Sequence, residues 1–156
     1  MNTGTAETRT IDARNPRTGK LDYSFEVTPT IDIENTVQEV RSNQPKWASL
    51  TVDERADILR EWANVVSKSS DLLDALVTDT GRYFIATAEI ENLAKSIEGW
   101  HMIGRQVFAE QEPIQSSAPS VIYSHQYKPF EVVGIVGPWN FPFLISLIDL
   151  LPALMA

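Results

Sequence analysis

The sequence predicts an α/β fold in which a helical segment and an exposed antiparallel strand lead into the first β-α unit of an incomplete parallel sheet. Three observations carry this expectation. Apolar residues recur at helical spacing between Ile33 and Trp100. Val121–Tyr127 then alternates apolar and polar positions, as a solvated strand does. "EVVGIVG", 131–137, is a continuous apolar run, the pattern of a strand buried on both faces, and it feeds a second apolar run from Phe143.

Taken in order, residues 1–13 are polar and read as a flexible lead, leaving 14–156 as the structured part. "NPRTGK", with Pro16 and Gly19, predicts a turn. "LDYSFEVTP" alternates Leu21, Tyr23, Phe25 and Val27 with polar neighbours and predicts a short half-buried strand. Ile33, Val37, Val40 and Trp47 predict a first helix capped by Asp32 and bent or ended by Pro45. "TVDE", Thr51 to Glu54, is a capping box opening a second helix with the stripe Ala56, Leu59, Ala63 and Val66. A third helix starts from a Ser70 cap and stops at Gly81, and a long fourth carries Ile85, Ala88, Leu93, Ile97 and Trp100. "AEQEPIQSSAPS" is a loop by its prolines and serines. A last helix begins near Pro142, where a first-turn proline is tolerated.

Composition narrows the function classes. Of 156 residues, 43% are hydrophobic and 22% charged, as in a globular domain. Thirteen basic against 21 acidic residues give a net charge of -8, without the Lys/Arg clusters that nucleic acid requires. There is no cysteine, which excludes disulfides, thiolate-bound metal and a thiol nucleophile within these residues. The N-terminus lacks the apolar stretch of a signal peptide, and the run from Phe143, interrupted by Asp149, is too short to span a bilayer. The expected location is the cytoplasm. The sequence ends inside an apolar run, "LIDLLPALMA", and so reads as a fragment.

The stretch "VVGIVGPWNFPF" is the most informative. A corner at the carboxyl end of a buried strand is where open α/β sheets place ligands. Gly137 permits close approach of the backbone, Pro138 and Pro142 stiffen the turn, and Trp139 adds a rigid surface. Asn140 carries an amide that such a corner would hold at one location, as an oxyanion donor requires. An isolated Asn in a turn more often bonds its own backbone as an Asx turn, and spacing alone does not decide between the two.

"VVGIVGPWNFPFLISLIDLLPALMA" resembles the aldehyde dehydrogenase superfamily, whose members carry a Pro-Trp-Asn-Phe-Pro corner before a helix rich in Ala and Leu. "RNPRTGK" is similar to the family's Asn-Pro-x-Thr-Gly opening, and "KWASLTVDERADILREWANVV" to its Trp then Glu-Arg-x-x-x-Leu helix pair. The likeness covers 14–156. Two departures stand out: Pro129-Phe130-Glu131-Val132 where members commonly have Pro-x-Gly-Val, and Gly81-Arg82 where they have Gly-Lys.

The resemblance implies a partial cofactor-binding and oligomerisation region with a Rossmann-like sheet. It implies oxidation of an aldehyde to a carboxylic acid with NAD or NADP through a cysteine thioester. Asn140 would donate to the oxyanion, Val136, Gly137, Pro138 and Trp139 would line the dinucleotide site near the nicotinamide, and no metal is implied. The nucleophile, the general base, the phosphate-binding lysine and the Gly-rich cofactor loop would lie beyond position 156, so the chain alone is expected to be inactive. The complete protein is expected to be a homo-oligomer acting on a small aldehyde. Two alternatives remain from the sequence: a non-catalytic truncated product or pseudogene remnant, and a CoA-acylating semialdehyde dehydrogenase.

His101 and His125 lack neighbours at metal or triad spacing and read as surface or interface side chains. Glu89, Glu91 and Glu98 read as a solvated acidic face. The strand Val121–Tyr127 invites pairing with a second chain.

Overall fold

The computed structural model describes residues 9–109 and 113–156. The chain divides into two compact units, Met1–Pro45 and Lys46–Ala156.

In the first unit, strands β1 (Thr10–Arg14) and β2 (Leu21–Glu26) form an antiparallel hairpin in which Thr10 faces Glu26 and Ile11 faces Phe25. The predicted turn joins them. Asn15 Oδ1 accepts from the amides of Arg17 (3.0 Å) and Thr18 (3.3 Å), and Gly19 adopts φ 69°. A positive φ is a conformation glycine reaches without penalty. Thr10–Ala13, placed by the sequence in the flexible lead, is thus a strand, because the turn at Asn15 folds it back onto β2; residues 1–8 lie outside the described residues. Every residue of β2 is exposed, so the expected half-burial is not met within the described residues. Helix α1 (Thr30–Ala48) starts two residues before Asp32 and continues through Pro45, whose missing N–H removes one rung without ending the helix.

The second unit holds the core. Helix α2 (Val52–Val66) is opened by the predicted capping box: the Glu54 amide donates to Thr51 Oγ1 at 3.2 Å, and the Thr51 amide to Glu54 Oε2 at 2.7 Å. Helix α3 (Ser70–Thr80) is capped by Ser69, one residue before the expected Ser70, and ends at Gly81 with φ 65°. Helix α4 (Tyr83–Val107) follows, and α5 (Leu144–Met155) completes the set. Ala56, Leu59, Ala63 and Val66 of α2 meet Leu93 and Ile97 of α4 and Leu147, Leu151 and Met155 of α5 in one buried cluster, against which Trp62 and Trp100 pack. Each helix contributes residues at spacings of three, four or seven, so each buries a single stripe.

Buried Arg55 ties the ends together, donating to the carbonyls of Met155 (2.8 Å), Ala48 (3.2 Å) and Trp47 (3.4 Å). Helix-terminal carbonyls lack intrahelical partners and carry the negative end of the dipole, so a guanidinium suits them. Trp47 Nε1 donates to Leu154 O at 2.9 Å, tightening the same corner.

The strands differ most from expectation. The predicted loop 109–120 contains β3 (Ile114–Gln115), which pairs antiparallel with β4 (Ile122–Tyr123); only those two residues of the expected 121–127 strand are strand. Glu110–Glu112 of that loop lie outside the described residues. The run 131–137, expected as a buried parallel strand, forms no strand, and Val136 is 96% exposed. A strand buried on both faces takes its hydrogen bonds from flanking strands, and the described residues supply none beside this run. Both sheets among the described residues are two-stranded and antiparallel, so the expected Rossmann-like β-α unit is present only as its helix, α5.

Candidate functional site

The Gly137–Pro142 corner sits directly before α5. Phe143 occupies the N-cap position in an αR conformation and offers no side-chain cap, so the first amides of α5 need acceptors from elsewhere. Glu89 of α4 supplies one. Its Oε2 accepts from the amides of Phe143 (3.0 Å) and Leu144 (2.8 Å), while the residue is 1% exposed. A carboxylate there also complements the positive end of the helix dipole. The second oxygen, Oε1, is buried without a hydrogen-bond partner among the described residues.

The other side of the corner is held by Arg82, the N-cap residue of α4. Its guanidinium donates to the backbone carbonyl of Asn140, and its Cζ lies 4.8 Å from the centroid of the Phe141 ring. Ser146 Oγ donates to Pro142 O at 2.7 Å. Gly137 packs against this bond. A Cβ there would collide with Ser146 Oγ and lie 3.1 Å from Pro142 O, so a side chain fits only if Ser146 turns away and the Pro142 carbonyl gives slightly.

The residues singled out from the sequence lie consecutively on this anchored segment. Asn140 and Pro138 are half-buried, whereas Val136, Gly137 and Trp139 are exposed, Trp139 by 82%. The Asn140 side chain makes no hydrogen bond to any described residue, so the Asx turn open to it is not formed. Its carbonyl is fixed and its amide is free.

Residues 3–156 match the aldehyde dehydrogenase family. The chain belongs to that family. It is also similar to the solved structure of PutA from Anabaena variabilis, a protein assigned as an aldehyde dehydrogenase, with 34% identity and a TM-score of 0.84. That match covers 94% of this chain and 31% of PutA, so the chain spans about a third of the length of its structural relative.

Sequence reading missed two residues at this aldehyde dehydrogenase corner. Glu89 was expected on a solvated acidic face and is instead buried under α5. The signal was its position between Ala86 and Leu93, three and four residues away along the stripe that continues to Ile97. Arg82 was noticed only as a departure from Gly-Lys. The other two glutamates behave differently: Glu91 is exposed, and Glu98 receives two bonds of 2.7 Å from Arg60.

A second polar cluster joins α2 and α4. Arg60 donates to His101 Nδ1 at 2.9 Å, and His101 Nε2 lies 2.6 Å from Asp53 Oδ1. With Arg60 donating to Nδ1, the Nε2–H faces the Asp53 carboxylate. The His101 bond, with Arg105 and Arg60 nearby, holds the Asp53 carboxyl below its usual range, and Arg60 does the same for Glu98. Both carboxylates are solvent-exposed, so the cluster is a surface fastening. Among the described residues no group of three His, Cys, Asp or Glu is placed to hold a metal, and no helix is long and apolar enough to cross a membrane.

Proposed function

We propose that this chain supplies the oxyanion donor and part of the dinucleotide site of an enzyme that oxidises an aldehyde to a carboxylic acid with NAD+ or NADP+, through a cysteine thioester. The observation that carries the reading is the Asn140 side-chain amide, unbonded among the described residues, on a corner that α4 holds at two points, the Asn140 carbonyl and the Phe143 and Leu144 amides. When a thiolate adds to the aldehyde carbon, the carbonyl π pair moves onto oxygen. A donor already fixed in place stabilises that charge without the reorganisation water would need. The chain has no cysteine, so the thiolate comes from sequence outside these 156 residues. The match to only 31% of PutA supports that division of labour.

Residues 136–139 fit a dinucleotide. Trp139 presents exposed apolar surface beside Asn140, and the amides of Gly137 and Trp139 make no hydrogen bond with described residues. Bound NAD(P)+ supplies the hydride acceptor. The same proposal places the enzyme in the cytoplasm as a homo-oligomer, for which the short, exposed β3–β4 pair offers an open edge.

The test is Asn140→Ala in the full-length enzyme. Turnover should fall by about two to three decades, about 3 kcal/mol of transition-state stabilisation, with the unfolding temperature unchanged. An unaltered kcat would remove Asn140 from the chemistry. A wild-type enzyme that turned over only with CoA present would instead select the acylating reading, and one inert toward aldehydes the non-catalytic one.

A further inference from the structure

We propose that Arg82 is a positioning residue for Asn140, working with Glu89 as a two-point clamp that α4 places on the corner. The inference rests on the oxyanion reading of Asn140 and adds how the amide is aimed. Arg82 and Glu89 are seven residues apart, two helical turns, and so lie on one face of the start of α4. Arg82 holds the carbonyl of Asn140, and Glu89 holds the amides of Phe143 and Leu144. Between these anchors lie only Phe141, whose ring sits under the Arg82 guanidinium, and Pro142, whose φ is fixed by its own ring.

The direction in which a side chain leaves the backbone follows from the peptide planes on either side of it. One of those planes, at Asn140, has its carbonyl pinned by a cation. Glu89 is the deeper anchor and belongs to the packed face of α4, so its loss perturbs folding as well as aim. Arg82 is half-buried at the rim, and its removal chiefly frees the Asn140 peptide.

The experiment measures kcat, KM and thermal unfolding for full-length Arg82→Ala, Arg82→Lys, Asn140→Ala and the double Arg82→Ala/Asn140→Ala variant. Arg82→Met, which keeps the stem and drops the donors, replaces Arg82→Ala if the latter does not fold. The expected result is an Arg82→Ala kcat lower by about 10- to 100-fold, the scale of an ångström-sized misplacement, with KM within about twofold. Arg82→Lys should restore most of the rate, since an ammonium still donates to the Asn140 carbonyl. The double variant should be no slower than Asn140→Ala alone, because two residues acting through one donor are not additive. If Arg82→Ala or Arg82→Met turns over normally while Asn140→Ala does not, the clamp is wrong and the oxyanion reading stands. If the two losses multiply, Arg82 acts independently of Asn140 and the proposal fails. If Asn140→Ala itself turns over normally, the oxyanion reading fails and the clamp with it.

Discussion

The α2–α4–α5 cluster and the run 131–137 are both rich in aliphatic side chains, yet one is buried and the other lies open to solvent. Leu93, Ile97 and Leu151 are at most 1% exposed, whereas Val136 is 96% exposed. A helix satisfies its backbone internally and needs only a neighbouring stripe to bury its own, and the three helices provide stripes for one another. A strand needs partners for its backbone and for both faces. Burial therefore follows from what each element requires of other segments, and hydrophobicity alone does not secure it.

The largest test of that contrast is truncation on each side. Ile97→Ala should destabilise the chain by about 2–5 kcal/mol, the cost of a cavity in a packed core. Val136→Ala in the same 156-residue chain should change stability by no more than about 0.5 kcal/mol. Denaturant titration reads both, and equal losses would mean the run is packed after all.

Gly137→Ala asks how tightly the corner joins the two regions. Overpacking against Ser146 and the Pro142 carbonyl should cost about 1–3 kcal/mol. Adding Ser146→Ala should recover part of the loss, because the backbone carbonyl at 3.1 Å remains. A neutral Gly137→Ala would show that the corner yields. Thr51→Ala, which removes the α2 capping box, should cost about 1 kcal/mol without touching the corner.

The smallest effect concerns pH. Asp53, Glu54 and Glu98 titrate below their ordinary values in the fold because His101, Thr51 and Arg60, respectively, bond their charged forms. The unfolded chain therefore takes up protons first as pH falls, so their stabilisation is present above the ordinary carboxylate range and is lost through the acid region below it. Unfolding midpoints measured from neutral pH down to about pH 3 should decline there. Asp53→Asn should flatten part of that decline, and an unchanged slope would exclude its bond to His101 as a contributor.

How legible each feature was depended on its range. The Thr51–Glu54 box, the Gly81 stop and the long helix to Val107 were readable because their determinants lie within a few residues. Strand β1 was missed because its partner lies across a turn and only Ile11 and Ala13 of its five residues are apolar. The 131–137 run was misjudged because a strand buried on both faces depends on flanking strands, and the described residues supply none. At the site, Asn140 stood out by its proline fence. Glu89 was hidden because a carboxylate suggests solvent until the amides of α5 appear beside it.

The most direct test of the central claim, that Asn140 donates from an anchored corner, is the kcat of Asn140→Asp in the full-length enzyme. The substitution keeps size and shape but replaces the amide donor by a carboxylate that can only accept. The account predicts a loss at least as large as that of Asn140→Ala, with the unfolding temperature retained. An Asn140→Asp enzyme that keeps wild-type turnover would contradict it.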